Sequence, residues 1–149
     1  MRPSMSRTLH GILAAAFAIA ACAGSPLKPA ELSSVDALME ALQQQGATVR
    51  RTGELPRSAH AYFSVNAQRV VLNGADVSVF AYPDARRADA DAALVSPTGT
   101  RIGETSVFWI DTPNFYRRDR LIVLYVGRAP EVTKPLEAVM GPPFAGGAR

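Results

Sequence analysis

Three features of the sequence predict an α+β domain built on a mainly antiparallel sheet of about five strands with two or three packed helices. Arg120–Gly127 reads Arg-Leu-Ile-Val-Leu-Tyr-Val-Gly, with Leu121, Val123 and Tyr125 on one side and Ile122, Leu124 and Val126 on the other. Both sides are apolar, as in a central strand covered on two faces. A buried helix shares that periodicity, but the β-branched and aromatic content favours a strand. Asn73-Gly74 lies between two apolar runs. It is the strongest short-range hairpin signal, because both residues tolerate positive φ. Two stretches, after Ser33 and after Asp84, repeat small or apolar residues at helical spacing.

In chain order, Ser33 is the expected cap of the first helix, with Asp36 in the capping-box position. Val35, Leu38, Met39 and Leu42 form one apolar stripe, Gln43–Gln45 is polar, and Gly46 stops the helix. A short strand follows over 47–53, with Arg50 and Arg51 near its end. The hairpin spans Ala61–Leu72 and Ala75–Tyr82. A two-residue turn pairs Leu72 with Ala75 and Val70 with Val77, so Val70, Leu72, Ala75, Val77 and Val79 share the core face. The other face carries Arg69, Asp76 and Ser78 near the turn and Phe80 and Tyr82 farther away. Asp84 caps a second helix over Ala85–Val95, with Ala85, Ala88, Ala92 and Val95 inward and Arg86, Arg87, Asp89 and Asp91 on a solvated face. Ser96-Pro97-Thr98-Gly99 is a turn. A strand over Arg101–Asp111 is broken at Thr112-Pro113-Asn114, and the chain returns antiparallel through the central strand. Thr133 caps a last helix carrying Leu136, Val139 and Met140, which Gly141-Pro142-Pro143 ends. The expected divisions are 1–21, 22–32, a single domain over 33–141, and a disordered tail over 142–149.

The chain has 149 residues, one domain's worth, and that length buries about two-thirds of its unfolded surface. Its 48% hydrophobic and 19% charged content argues against wholesale disorder. The formal charge is +3; without Arg2 and Arg7, 14 basic residues face 13 acidic ones, a net +1. That balance gives no argument for nucleic acid. Only Lys28 and Lys134 among the basic residues are lysine.

The N-terminus is the most specific stretch. Arg2 and Arg7 precede an uncharged run over Ile12–Ala21, too short to span a bilayer and laid out like a secretory signal. The run closes on Ile19-Ala20-Ala21-Cys22, which resembles the lipobox of bacterial lipoproteins. The resemblance covers the first two dozen residues. It implies cleavage between Ala21 and Cys22, lipidation of the Cys22 sulfur and acylation of the new amine, with several acyl chains holding the protein to the membrane. Residue 23 is Ala rather than Asp, which leaves sorting to an outer membrane open. Cys22 is the only cysteine, so no disulfide framework and no catalytic thiol remain. Residues 23–32, with two prolines, read as a tether reaching at most about 33 Å. The rest of the chain resembles small bacterial lipoproteins of no characterised family.

No catalytic motif stands out. Beyond the signal the only histidine is His60, so there is no His pair for zinc, no Cys/His nucleophile and no phosphate loop; no metal or cofactor is expected. The unusual surface stretch is Trp109–Arg120, where Trp109, Phe115 and Tyr116 accompany Arg117, Arg118 and Arg120. At a hairpin tip these are candidates to hold an anionic headgroup, a glycan or an envelope protein. The plainer alternative buries Trp109 and Phe115 and leaves the arginines solvated. The expected role is non-catalytic binding or scaffolding by a lipid-anchored envelope protein. The alternatives are a small hydrolase using Asp111, Glu104 or His60, and a carrier whose apolar cavity lies between sheet and helices.

Overall fold

A computed structural model describes residues 31–60 and 62–147. The elements are α1 (Val35–Gln44), β1 (Val49–Leu55), β2 (Ala67–Leu72), β3 (Ala75–Ala81), α2 (Ala85–Ala92), β4 (Arg101–Ile102), β5 (Thr105–Ser106), β6 (Pro113–Arg118), β7 (Leu121–Val126), α3 (Pro130–Met140) and β8 (Ala145–Gly146). Six strands form one antiparallel sheet in the order β1-β2-β3-β7-β6-β8, and β4 and β5 make a separate small hairpin. The fold is α+β, as the sequence predicts. The expected signal peptide, Cys22 and nearly all of the tether lie outside the described residues.

β7 is the central strand, between β3 and β6. Its alternation divides the interior. Leu121, Val123 and Tyr125 join Val70, Leu72, Val77 and Val79 under α1 and α3. Ile122 and Leu124 join Phe80, Phe63, Phe115 and Ala88 on the other side, beneath α2, the small hairpin and the 62–66 loop. The β2–β3 pairing is the predicted one, Leu72 opposite Ala75 and Val70 opposite Val77, with Asn73 and Gly74 at φ 47° and 88°. Asn73 also joins two other elements. Its Oδ1 accepts from Thr48 N at 2.8 Å, and its Nδ2 donates to the Glu131 carbonyl. In a regular helix that carbonyl would accept from residue 135, but Pro135 has no N–H to give. The turn amide therefore satisfies an acceptor that the helix leaves open.

Several boundaries differ from the sequence reading, each for a local reason. Ser34, not Ser33, caps α1: its side chain accepts from Ala37 N at 3.1 Å, and Asp36 pairs with Arg51 at 2.8 Å instead of closing a capping box. Leu32 is not free tether; it is buried, and its N–H donates to Asp119 at 2.7 Å. Residues 62–66 form a loop ahead of β2 that buries Phe63. α2 stops at Ala92, and Asp91 is buried rather than solvated. Pro113 does not break a strand but begins one, which a proline can do because the first residue need not donate to the ladder. The turn lies instead at Asp119-Arg120, between β6 and β7, with Asp119 at φ 50°. α3 starts at Pro130, a favoured first helical position, which leaves Thr133 inside the helix. Finally, the expected tail is fastened through Gly147. Phe144 N donates to Phe115 O at 2.8 Å, Ala145 and Gly146 pair with β6, and Gly147 N donates to Pro113 O at 2.8 Å. Gly146 has positive φ, and a Cβ there would sit 1.9 Å from the Pro113 carbonyl oxygen, so only glycine lets this edge close.

The Tyr116 hydroxyl is buried under α3 without a hydrogen-bond partner among the described residues. Burial, then the negative charge of Glu137 and the neighbouring Tyr125, pushes its pKa up to about 12. The unfolded chain releases this proton near pH 10, where the folded protein still holds it. Stability is therefore expected to be level with respect to this group below about pH 10 and to fall between about 10 and 12 by the order of 1 kcal/mol per pH unit. Urea unfolding across that range checks the slope. Tyr116→Phe should flatten part of it and, by removing an unpaired hydroxyl, raise stability at pH 7 by about 1 kcal/mol.

Candidate functional site

The strand β6 separates the residues that the sequence groups together. Phe115 and Tyr116 are fully buried on opposite faces of the sheet. Trp109 is half-buried: its Nε1 donates to Gly99 O at 2.7 Å and its ring lies 5.9 Å from Phe115 and 6.4 Å from Tyr62. The three arginines clamp separate neighbours. Arg117 pairs with Asp89 on α2, and Arg118 donates to the Val139 carbonyl in the last turn of α3, where a cation also suits the helix dipole. Arg120 donates to Pro83 O at 2.9 Å and to the Ser33 carbonyl, joining the exit of β3 to the entry of α1. The six residues therefore form no single aromatic and basic patch. The physical reason is the position of the turn: 113–118 is strand, so alternate side chains go to opposite sides.

The candidate acid and base residues are not assembled either. Asp111 pairs with Arg128 at 3.0 Å and accepts from Thr112 N at 2.7 Å. Glu104 is exposed at the β4–β5 turn. His60 packs edge-on against Phe80 at 5.6 Å and beside Tyr62 at 5.9 Å, and burial lowers its pKa. Each sits in its own neighbourhood, and none lines either groove beside α1. Among the described residues no group of three or more His, Cys, Asp or Glu side chains is placed to hold a metal.

Two open grooves flank α1. One, of about 690 Å³, lies where the start of α1 faces the sheet, with Arg51, Glu54, Gln68 and Arg120 around Val65 and Ala81. Its charges are occupied: Arg51 by Asp36, Glu54 by Gln68 at 2.7 Å, and Arg120 by two carbonyls. The other, of about 310 Å³, runs between α1 and α3 past Ala37, Ala41, Ala138 and Glu40. Both are mixed in polarity and open to solvent, which suits a surface contact better than enclosed apolar cargo.

The sequence reading missed two features. The first is the Asp91 carboxylate, whose Oδ2 accepts from Ser64 N at 2.6 Å, Ser64 Oγ at 2.8 Å and the Tyr82 hydroxyl at 2.9 Å. Burial, then Asp91 itself, raises the Tyr82 pKa well above its ordinary value. A signal existed: Asp91 is three residues after the inward Ala88 and one before Ala92, on the edge of the buried stripe. The second is the segment between β5 and β6. Val107 and Trp109 face inward while Phe108 and Ile110 are 96% and 100% exposed. Alternation alone reads this run as a paired strand, and it has no ladder partner among the described residues. Comparison with protein-family models, with curated proteins and with solved structures gave no match.

Proposed function

We propose that this chain is a lipid-anchored bacterial cell-envelope protein whose folded domain binds or scaffolds an envelope component, either a protein or an anionic ligand. The observation that carries this reading is Ile19-Ala20-Ala21-Cys22 at the end of a short uncharged run, with Cys22 the sole cysteine. The way the chain enters the domain is consistent with it. Leu32 is buried and held to Asp119, so ten Cα-to-Cα steps, at most about 33 Å, separate Cys22 from a packed position. No helix among the described residues is long and apolar enough to cross a membrane, so in this proposal attachment rests on the lipid. A hydrolase would need Asp111, Glu104 or His60 near a shared pocket, and an apolar carrier would need an enclosed cavity; the positions described above favour neither.

Cell fractionation of the full chain tests the proposal. The wild type should sit in the membrane fraction with acyl mass on its Cys22 peptide. Cys22→Ser should move it to the soluble fraction or leave an uncleaved precursor. No change in either property would overturn the anchor.

A further inference from the structure

We propose that Phe108 and Ile110 form a prong that rests in the interfacial layer of the bilayer to which the chain is anchored. This deepens the lipid-anchored reading and rests on it. The two side chains are 96% and 100% exposed at positions i and i+2, while Val107 and Trp109 pack inward, so by this alternation they project from the same side. Between them Trp109 is tied down by its bond to Gly99 O and its packing on Phe115. The pair is therefore held outward on a fixed base. Residues 106–110 carry no charge, and the next acid, Asp111, is paired with Arg128. Contact with an apolar medium thus desolvates no unpaired ion along this strip.

Two quantities select a lipid surface over a protein partner. The prong is convex and consists of two side chains. Together these cover at most about 400 Å², half of what one partner gives to a stable protein interface. A bilayer needs no complementary surface, and the acyl anchor already supplies the attachment. Reach is the second quantity. Leu32 is fastened at the Asp119 end of β7, whereas Thr112 bonds Gly127 at the opposite end. Six strand residues are about 20 Å long, less than the tether's span of about 33 Å. The domain can thus lie along its own membrane with the prong down. The backbone of 108–110 makes no hydrogen bond among the described residues, so it stays at the hydrated headgroup level rather than in the hydrocarbon.

Trp109, the only tryptophan, is a built-in probe. The mature protein, its acylation established by mass, is reconstituted at low density into phosphatidylethanolamine–phosphatidylglycerol vesicles with brominated acyl chains. Trp109 emission should be quenched relative to unbrominated vesicles, and Phe108→Ser/Ile110→Ser should lose most of that quenching while keeping its unfolding midpoint. Absence of quenching, or quenching equal in the double variant, overturns the prong. A signal that grows with protein density at fixed lipid assigns the surface to a second copy and overturns it too. The acyl mass reports on the anchor separately: a protein without acyl groups refutes the lipid-anchored reading and the prong with it, whereas an acylated protein without quenching overturns the prong alone.

Discussion

Asp91→Ala should lower the stability of the folded domain by about 3 kcal/mol and its melting temperature by the order of 10–20 °C. One carboxylate oxygen receives three donors, from Ser64 N, Ser64 Oγ and the Tyr82 hydroxyl. Bonds to a charged acceptor are stronger than neutral ones, and the Tyr82 hydroxyl left behind stays buried without that partner, while the Ser64 donors turn to water. The site also matters because α2 has little else to hold it. The helix is eight residues long and its one buried apolar residue is Ala88. Asp91 thus fastens α2 to the end of β3 and to the loop that carries Phe63. Tyr82→Phe removes one donor and should cost less, about 1–2 kcal/mol. In a double-mutant cycle the two changes should couple by at least about 1 kcal/mol, because they share a bond. Chemical denaturation of the four proteins measures this. A loss below about 1 kcal/mol for Asp91→Ala would mean that water substitutes for the carboxylate and the node is not what holds α2.

The polar nodes of the fold differ in how far local pattern reveals them. Asn73 was legible because a turn residue with positive φ announces itself in sequence, and its extra bonds to Thr48 and Glu131 come with the turn. Asp91 was not. A carboxylate at the margin of a small-residue stripe looks like any charge on a helix surface until Tyr82 and Ser64 arrive from elsewhere in the chain. Asn114 is similar: its Nδ2 donates to Gly127 O at 2.8 Å, with Thr112 O and Tyr125 O nearby, so one amide closes the start of the β6–β7 ladder. The β2–β3 register, the Asp84 cap and the α1 stripe are short-range properties, and all follow from the chain read locally. The β6–β7 turn does not. Arg118-Asp119-Arg120 lacks the usual glycine, and Thr112-Pro113-Asn114 offers a better turn signal at a place where a strand begins. That displaced turn governs the reading of the candidate site. Had the reversal come at Pro113, Phe115 to Arg120 would have formed a surface tip; because it comes at Asp119, they form an interior strand and three clamps.

Phe80→Ala should be the other large loss, about 3–5 kcal/mol, because it opens a cavity in the half of the interior that sequence reading understates. The hairpin alternation assigns Phe80 and Tyr82 to the face opposite the main stripe, away from the wet turn, without supplying what covers them. In the structure that face is a second interior: Phe80 is fully buried, 4.7 Å edge-on from Phe63 and 5.6 Å from His60, and Phe63 in turn lies 6.4 Å from Phe115. Aromatic edges of this kind contribute beyond the area they bury, and truncating the Phe80 ring removes two at once. The surrounding segments relax differently. β3 is fixed in the sheet, whereas the 62–66 loop is held by Asp91 and by Phe63 itself, so collapse into the cavity would draw Phe63 and then Tyr62 inward. Trp109, 6.4 Å from Tyr62, should report this through its emission. The comparison that separates cavity from charge is Phe80→Ala against Phe80→Leu at equal denaturant. Leucine restores much of the volume and should recover more than half of the loss, whereas Asp91 substitutions should leave the Trp109 signal of the folded state nearer to wild type. If both phenylalanine variants unfold at the wild-type midpoint, the face beneath α2 is not a packed interior, and the fold reduces to a sheet with helices on one side.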